Sequence, residues 1–440
     1  MKGAVALFAA SAALANAGKL PPVTVKGNAF FAGNDRFYVR GLDYQPGGSS
    51  KASDPIADAN GCKRDVAEFK KLGINTIRVY TVDNTADHDE CMSALEDAGI
   101  YLALDVNSPK YSLNRADPSV SYNSMYLQSV FATIDAFAKY DNTLLFFSGN
   151  EVINSDKTTD CAPYIKAVTR DMKQYLGTRG YRKIPVGYSA ADVESNRFEM
   201  ASYMNCGTDD QRSDFFAFND YSWCDPSSFQ QSGWDQKVKQ YGDYSIPLFL
   251  SEYGCITNKR QFQEVHALYS NEMTAVYSGG LVYEYSEEGN GYGLVKISGN
   301  QVTEMSDFTA LQNALSAQKP PSGDGGYKSN GQPSKCPSQS NTWEVKDFTG
   351  EALPAMPNGA EKYMQKGAGK GPGLTGDGSQ EAGAGSTGTA SAGSGTVTST
   401  ASPSSSSGAA NAVRPGETSM APFVISGVVI LCTLLGATLL

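Results

Sequence analysis

Two glutamates stand at the ends of short apolar runs in this chain. Glu151 follows Leu144-Leu145-Phe146-Phe147-Ser148-Gly149-Asn150, and Glu252 follows Ile246-Pro247-Leu248-Phe249-Leu250-Ser251. A carboxylate is costly at the end of a buried strand unless it has a partner or a reaction to serve. A pair of them suits one chemistry in particular. One protonated carboxyl releases the leaving sugar of a glycosidic bond, while one ionised carboxyl attacks the anomeric carbon. With the two groups about 5–5.5 Å apart, such a reaction retains configuration through a covalent glycosyl-enzyme. The competing reading pairs each glutamate with an arginine such as Arg78 and makes it structural. Asn150, directly before Glu151, and the matching strand ends favour a reaction site.

Other chemistries find little support. The only two histidines, His88 and His266, sit in no metal-ligand spacing and read as surface or helix positions. Zinc chemistry and a Ser-His triad therefore lose their basis, and no metal or cofactor is expected. The net charge is −10, with no basic block, which argues against nucleic acid and anionic membrane surfaces as partners. Of eight cysteines, Cys432 lies in an apolar tail expected to be removed, which leaves an odd set of seven. In an oxidising compartment one of these should stay free. Cys161, in the first turn of an amphipathic helix, is the candidate for a merely buried thiol.

Placing both glutamates at one site requires a particular alternation of elements. Strand candidates are Phe37–Tyr44, Thr76–Val82, Tyr101–Asn107, Leu144–Asn150, Ile184–Ser189, Asp214–Trp223, Pro247–Glu252 and Gly280–Ser286. Between them lie helical patterns with apolar residues at 3.6 spacing: Val66, Phe69 and Leu72; Leu127, Val130, Phe131, Ile134 and Phe137; Ile165, Val168, Met172 and Leu176. Eight strand-helix units in about 300 residues predict an α/β fold, a (β/α)8 TIM barrel. An open doubly wound sheet is the rival, but no Gly-rich phosphate loop follows the first strand. Parity supports the barrel: Thr76, Arg78 and Tyr80 share one strand face, as do Asp105 and Asn107, opposite Leu102, Leu104 and Val106. The polar members gather at the C-terminal strand ends, where barrel enzymes place their chemistry.

Composition divides the remainder. Residues 1–17 read as a secretory signal, with Lys2, the apolar Ala4–Ala15 and an A-x-A site at Ala15-Asn16-Ala17. The barrel is assigned to 18–318 and a C-terminal extension folded on it, with Trp343, Pro354 and Pro357, to 319–366. A Gly/Ser/Thr-rich disordered stalk is assigned to 367–411. Residues 412–440 read as a glycolipid-anchor signal. Small residues and a polar spacer precede the uncharged run Phe423–Leu440, with no Lys or Arg after it. The mature chain is thus expected at the outer face of the plasma membrane or in the cell wall. Nothing in it demands more than a monomer.

Several of these stretches together resemble the fungal β-1,3-glucanosyltransferases of glycoside hydrolase family 72. They are Tyr44-Gln45-Pro46-Gly47-Gly48, Ile77-Arg78-Val79-Tyr80, Ser148-Gly149-Asn150-Glu151-Val152, the Ala162–Asp171 segment and Ser251-Glu252-Tyr253-Gly254-Cys255. The resemblance extends over the leader, barrel, stalk and anchor signal. It implies Glu151 as general acid/base, Glu252 as nucleophile, Arg78 as the charge that keeps Glu252 ionised, and Asn150 on the sugar 2-hydroxyl. It also implies that Gln45, Tyr80, Asp105, Asn107, Tyr221, Tyr283 and Tyr292 line the sugar groove. The implied disulfides are Cys62–Cys91, Cys206–Cys336 and Cys224–Cys255. Many relatives carry a cysteine-rich glucan-binding module after the barrel, whereas this chain has no cysteine cluster beyond Cys336. The implied partners are donor and acceptor β-1,3-glucan chains, with transfer as the activity. A retaining endo-β-1,3-glucanase and a non-catalytic wall-glucan binder are the alternatives. With 24 tyrosines against 3 tryptophans, tyrosine rings are the expected stacking platforms.

Overall fold

The structure is a computed structural model and describes residues 20–48, 51–346, 352–382, 385–386 and 388–391. The leader, the anchor signal and the stalk beyond residue 391 lie outside the described residues. Among the described residues no helix is long and apolar enough to cross a membrane.

The chain begins with an antiparallel ribbon, β1 (Val23–Lys26), β2 (Ala29–Ala32) and β3 (Asp35–Phe37). Eight parallel strands then close a barrel: β4 (Val39–Asp43), β5 (Thr76–Val79), β6 (Tyr101–Asp105), β7 (Thr143–Asn150), β8 (Val186–Ala191), β9 (Phe215–Asn219), β10 (Leu248–Tyr253) and β11 (Tyr277–Val282). Neighbours pair in chain order, and β11 returns to β4. All eight expected strands are present. The last begins earlier than read, because Gly279 and Gly280 look like a break in sequence. Val39 O lies 2.0 Å from where a Cβ on Gly279 would stand, so this pairing admits only glycine.

The connections carry α1 (Ala59–Leu72), α2 (Asp89–Asp97), α3 (Pro118–Ser121), α4 (Ser124–Phe137), α5 (Ala162–Thr178), α6 (Arg197–Met204), α7 (Trp234–Gln240), α8 (Glu264–Leu268) and α9 (Asn271–Thr274). Local chemistry sets their ends. The Asp58 side chain accepts from Gly61 N at the start of α1, and Gly73 ends it at φ 68°. Asn123 accepts from Met125 N and Tyr126 N at the start of α4. The helices cover the outer face of the strands, where Ile77, Val79, Leu102, Leu104 and Phe146 join Phe69, Leu127, Phe131 and Ile165 in one core.

A second core fills the barrel interior and has no counterpart in the helical pattern. Phe30 of the ribbon reaches in against Phe215 and Phe249, at 6.1 and 5.9 Å between ring centroids. Phe147 lies edge-on to Phe215 at 5.4 Å. These rings form an apolar floor below the polar strand ends. The guanidinium of Arg78 rests on Phe147, 4.4 Å from the ring centroid.

After the barrel come the hairpin β12 (Val295–Ser298) and β13 (Gln301–Glu304), then α10 (Ser306–Ala317), β14 (Ala352–Pro354), α11 (Glu361–Lys366) and β15 (Thr389–Ser391). Trp343 is buried against Tyr203, at 5.4 Å between rings. The bonded cysteines are Cys62–Cys91, Cys206–Cys336 and Cys224–Cys255, while Cys161 is free and buried. Burial pushes the Cys161 thiol up to about 12, which makes it inert.

Two expectations change. Residues 367–382, given by composition to a disordered stalk, lie along the barrel. Side chains of the domain bond the backbone of this segment, as in Gly373 N to Asn84 Oδ1 at 3.0 Å. Composition counts only the apolar surface a segment brings, not the partners a folded surface offers it. His88 precedes α2 but is buried rather than on the surface, with Nε2 2.7 Å from Asp54 Oδ2.

The interior floor generates an expectation. Phe147→Ala removes a ring that several others touch and should cost about 3–5 kcal/mol of stability, read from denaturation midpoints. A loss under about 1 kcal/mol would show that the floor collapses around the gap and is not a close-packed layer.

Candidate active site

Glu252 lies near the C-terminal end of β10 and is nearly buried. Both of its oxygens are held. Tyr80 Oη donates to Oε1 at 2.8 Å and Tyr221 Oη to Oε2 at 2.7 Å. Arg78 Nη1 approaches Oε1 at 3.5 Å and also donates to Ser251 O at 3.2 Å. The other edge of the guanidinium is taken by Asp105, through Nε at 2.9 Å and Nη2 at 3.2 Å. That geometry alters the expected electrostatics. Burial pushes the Glu252 carboxyl up to about 7 and outweighs Arg78, which pulls the other way. The charge of Glu151 adds to the rise, and the two tyrosine hydroxyls oppose it. Arg78 spends its bidentate edge on Asp105 and offers Glu252 a single longer contact.

Glu151 occupies the turn after β7 at φ 47°, a left-handed backbone unusual for a residue with a side chain. The turn is held on three sides. Glu151 N donates to Ser189 O at 2.9 Å, Arg115 Nη2 donates to Glu151 O at 2.7 Å, and Asn219 Nδ2 donates to Glu151 Oε1 at 2.9 Å. Asn219 Nδ2 also reaches Asn150 Oδ1 at 3.1 Å, which Ser189 Oγ meets at 2.7 Å. The Asn150 side-chain oxygen thus takes two donors, and the residue borders an open groove. Tyr80, Asp105, Asn107, Arg115 and Val152 line that groove with Asn150, around a volume of about 220 Å³.

Tyr80, Tyr283, Tyr292 and Tyr221 form an edge-to-face arc, with successive centroids 6.5, 5.2 and 5.8 Å apart. Its two end members are the tyrosines that hold Glu252. Arg260 supports the arc from behind, donating to Tyr283 O at 2.9 Å and Tyr292 O at 2.6 Å while paired with Asp307.

Three more residues expected to touch sugar already hold partners within the protein. Gln45 is buried, with Oε1 accepting from Tyr80 N and Thr81 N at 3.2 and 3.3 Å and Nε2 donating to Ser53 O at 3.0 Å. It braces the turn that carries Tyr80. Asp105 borders the groove with both oxygens on Arg78. Asn107 accepts from Tyr126 Oη at 2.6 Å through Oδ1.

Sequence reasoning missed Asn219, Ser189, Arg260 and an ionic cluster beyond β8 and β9. There Lys237 Nζ meets Asp192 Oδ2 and Asp220 Oδ2, each at 2.6 Å, and Asp192 pairs with Arg197. Asn219 was within reach, since it shares the inward parity of Phe215 and Ala217. Asp43 was missed as well: it is fully buried, its carboxyl oxygens meet no donor among the described residues, and burial pushes it well above the carboxylate range.

A family model described as Glucanosyltransferase matches residues 12–319. Over 422 residues the chain is 65% identical to 1,3-beta-glucanosyltransferase gel1 of Aspergillus fumigatus, covering 95% of this chain and 93% of that protein. It is 53% identical over 393 residues to 1,3-beta-glucanosyltransferase GAS5 of Saccharomyces cerevisiae, covering 87% and 80% of the two chains. Among solved structures, a mutant of Saccharomyces cerevisiae Gas2p in complex with laminaritetraose and laminaripentaose matches with a TM-score of 0.71. That match has 37% identity and covers 77% of this chain and 75% of that one.

The hydrogen bonds at Glu252 make a titration prediction. Observed by 13C NMR of the labelled protein, its carboxyl should titrate above the ordinary glutamate range, toward about 7. Tyr221→Phe deletes a donor that favours the charged form, so the midpoint should move to higher pH. A midpoint that moves down, or not at all, would remove Tyr221 from the electrostatics of Glu252.

Proposed function

Since the chain belongs to the glucanosyltransferase family, glycoside hydrolase family 72, we propose that Glu252 and Glu151 carry out its reaction as nucleophile and acid/base. The protein is a β-1,3-glucanosyltransferase. It cleaves an internal linkage of one glucan chain and passes the new reducing end to the non-reducing end of another. A Glu252 oxygen bonds to the anomeric carbon as the glycosidic C–O bond breaks, and Glu151 gives its proton to the departing oxygen. The glycosyl group then rests on Glu252. Glu151, now a base, takes the proton of the acceptor hydroxyl as that oxygen bonds to the anomeric carbon and Glu252 leaves as a carboxylate.

The observation that carries this assignment is the asymmetry of the two glutamates. Glu252 is gripped at both oxygens by tyrosine hydroxyls with a guanidinium behind it, as suits a group that must attack and later leave as an anion. Glu151 is held at one oxygen by an amide shared with Asn150, which leaves the other oxygen for proton transfer. Asn150 then has its amide nitrogen for the sugar 2-hydroxyl, and the tyrosine arc supplies apolar faces and hydroxyl edges for glucose rings. The leader read at 1–17 and the anchor signal read at 412–440 give the reading its location, the outer leaflet of the plasma membrane or the adjoining wall. No partner protein is needed for it.

Incubation with a laminari-oligosaccharide of one length tests the reading. Products longer than the substrate are expected. Shorter products alone would make the enzyme a hydrolase, and an unchanged substrate would leave only binding. Glu252→Gln should lower the rate of either reaction by about 10³-fold or more while oligosaccharide still binds. Retained activity in that variant would move the nucleophile elsewhere.

A further inference from the structure

The chain between β14 and β15 makes an excursion whose ends are stitched together. Ala352 faces Ser391, Leu353 faces Ala390 and Pro354 faces Thr389 across the antiparallel pair. Between them the glycine-rich segment runs along α4 and α5 toward the catalytic end of the barrel. Side chains of the domain receive its backbone at successive points. Ala368 N donates to Tyr175 Oη at 2.8 Å, Gln128 Nε2 donates to Ala368 O at 3.2 Å, and Gly373 N donates to Asn84 Oδ1 at 3.0 Å.

At its far end the segment meets the loop after β6. Ser379 is fully buried there, and its N donates to Lys110 O at 2.9 Å. Asn123, which starts α4, donates to Ser379 O at 2.7 Å. Gly378 N donates to Tyr111 Oη at 3.2 Å, Lys110 Nζ to Gly376 O at 3.0 Å, and Gln380 Nε2 to Ser112 Oγ at 2.6 Å. On its opposite side the same loop lines the groove, where Ser108, Pro109, Ser112 and Leu113 face Asn107 and Asn150. Within itself the loop has little to hold it: its backbone bonds are the reciprocal pair between Ser108 and Tyr111, at 3.0 and 3.1 Å. A glycine-rich segment loses more conformational freedom on ordering than any other, yet here two asparagines, a glutamine and two tyrosines are aimed at its backbone. That pattern marks a built contact rather than a stalk that happens to touch.

We propose that residues 372–382 are a positioning element of the glucan groove, holding the 108–113 loop in place and thereby setting how tightly oligosaccharide binds. The proposal rests on the reading of this groove as the glucan site. Binding geometry depends on the loop, while Glu151 and Glu252 stand on strand ends that the segment does not reach. Its loss should therefore act on KM and leave kcat in place.

The test is made in the full chain. Gly378 has φ 96°, and a Cβ there would lie 3.2 Å from Lys110 O, so Gly378→Val should lift the segment off the loop. Gly359→Val carries similar backbone strain at φ 86° with nothing within 4 Å, and serves as control. For Gly378→Val, KM for a laminari-oligosaccharide should rise about fivefold with kcat within about twofold. Amide exchange over 108–113 should accelerate. The control should change neither. Unchanged KM and exchange in Gly378→Val would overturn the proposal. If that variant does not fold, Gln380→Ala removes only the bonds of its amide to Ser112 Oγ and Pro109 O and should shift both readouts in the same direction; no shift would again overturn it. The exchange measurement needs no substrate, so an error in the reading of the groove shows up as faster loop exchange with KM unmoved.

Discussion

Arg78 carries a permanent charge at zero solvent exposure inside the barrel, and much of the catalytic mouth can be understood as the means of keeping it there. A buried cation left without a partner costs about 3–5 kcal/mol. Here the guanidinium lies between the rings of Phe147 and Tyr80, at 4.4 and 4.3 Å. Asp105 binds one edge, and the Ser251 carbonyl and Glu252 take the remaining nitrogen. Phe147 in turn is packed into the floor that Phe30 of the N-terminal ribbon completes. The ribbon, the floor, the ion pair and the proposed nucleophile form one vertical stack. Each layer gives the next a fixed place.

Around that stack the loops divide the work of handling a polymer. Glu287 accepts from the backbone of Gly289, Gly291 and Gly293 at 2.7 to 3.1 Å, which shapes the loop that carries Tyr292. Glu288 accepts from Gly47 N at 2.9 Å and ties this loop to the neighbouring turn after β4. The tyrosine arc is therefore fixed by carboxylates and by Arg260 that need not touch sugar themselves. Such preorganisation matters for transfer. A glycosyl-enzyme passes its sugar to another chain only if acceptor hydroxyls hold their position better than water does.

Part of this was legible from residue types. Strand parity placed Arg78, Asp105 and Asn107 on the inward face, and Glu151 and Glu252 at strand ends; the structure puts Arg78 and Asp105 on that face, Asn107 in the loop just past β6, and the glutamates at or just past their strand ends. The electrostatic relation between Arg78 and Glu252 was not legible. It depends on how one guanidinium shares its nitrogens between two carboxylates, and no spacing along the chain encodes that. Asn219 escaped for a related reason: an asparagine ending an aromatic strand carries no mark until it stands opposite Asn150 and Glu151. The N-terminal ribbon was missed because Phe30 and Phe37 look like any short apolar run, and only barrel closure creates a hole for them to fill. Residues 367–382 misled through composition, since their order comes from side chains elsewhere in the domain.

The sequence by itself determined the alternation of strands and helices, the eightfold count, the two catalytic candidates and the family resemblance. These follow from periodicity and from motifs, which are local properties of the chain. Tertiary structure alone decided which carboxylate owns the arginine, which tyrosines close around Glu252, and where the glycine-rich segment lies. Each of these is settled by distances between residues far apart in sequence. Burial then fixes their consequences, because a charge or hydrogen bond removed from water takes its strength from whichever partners the fold has placed within reach.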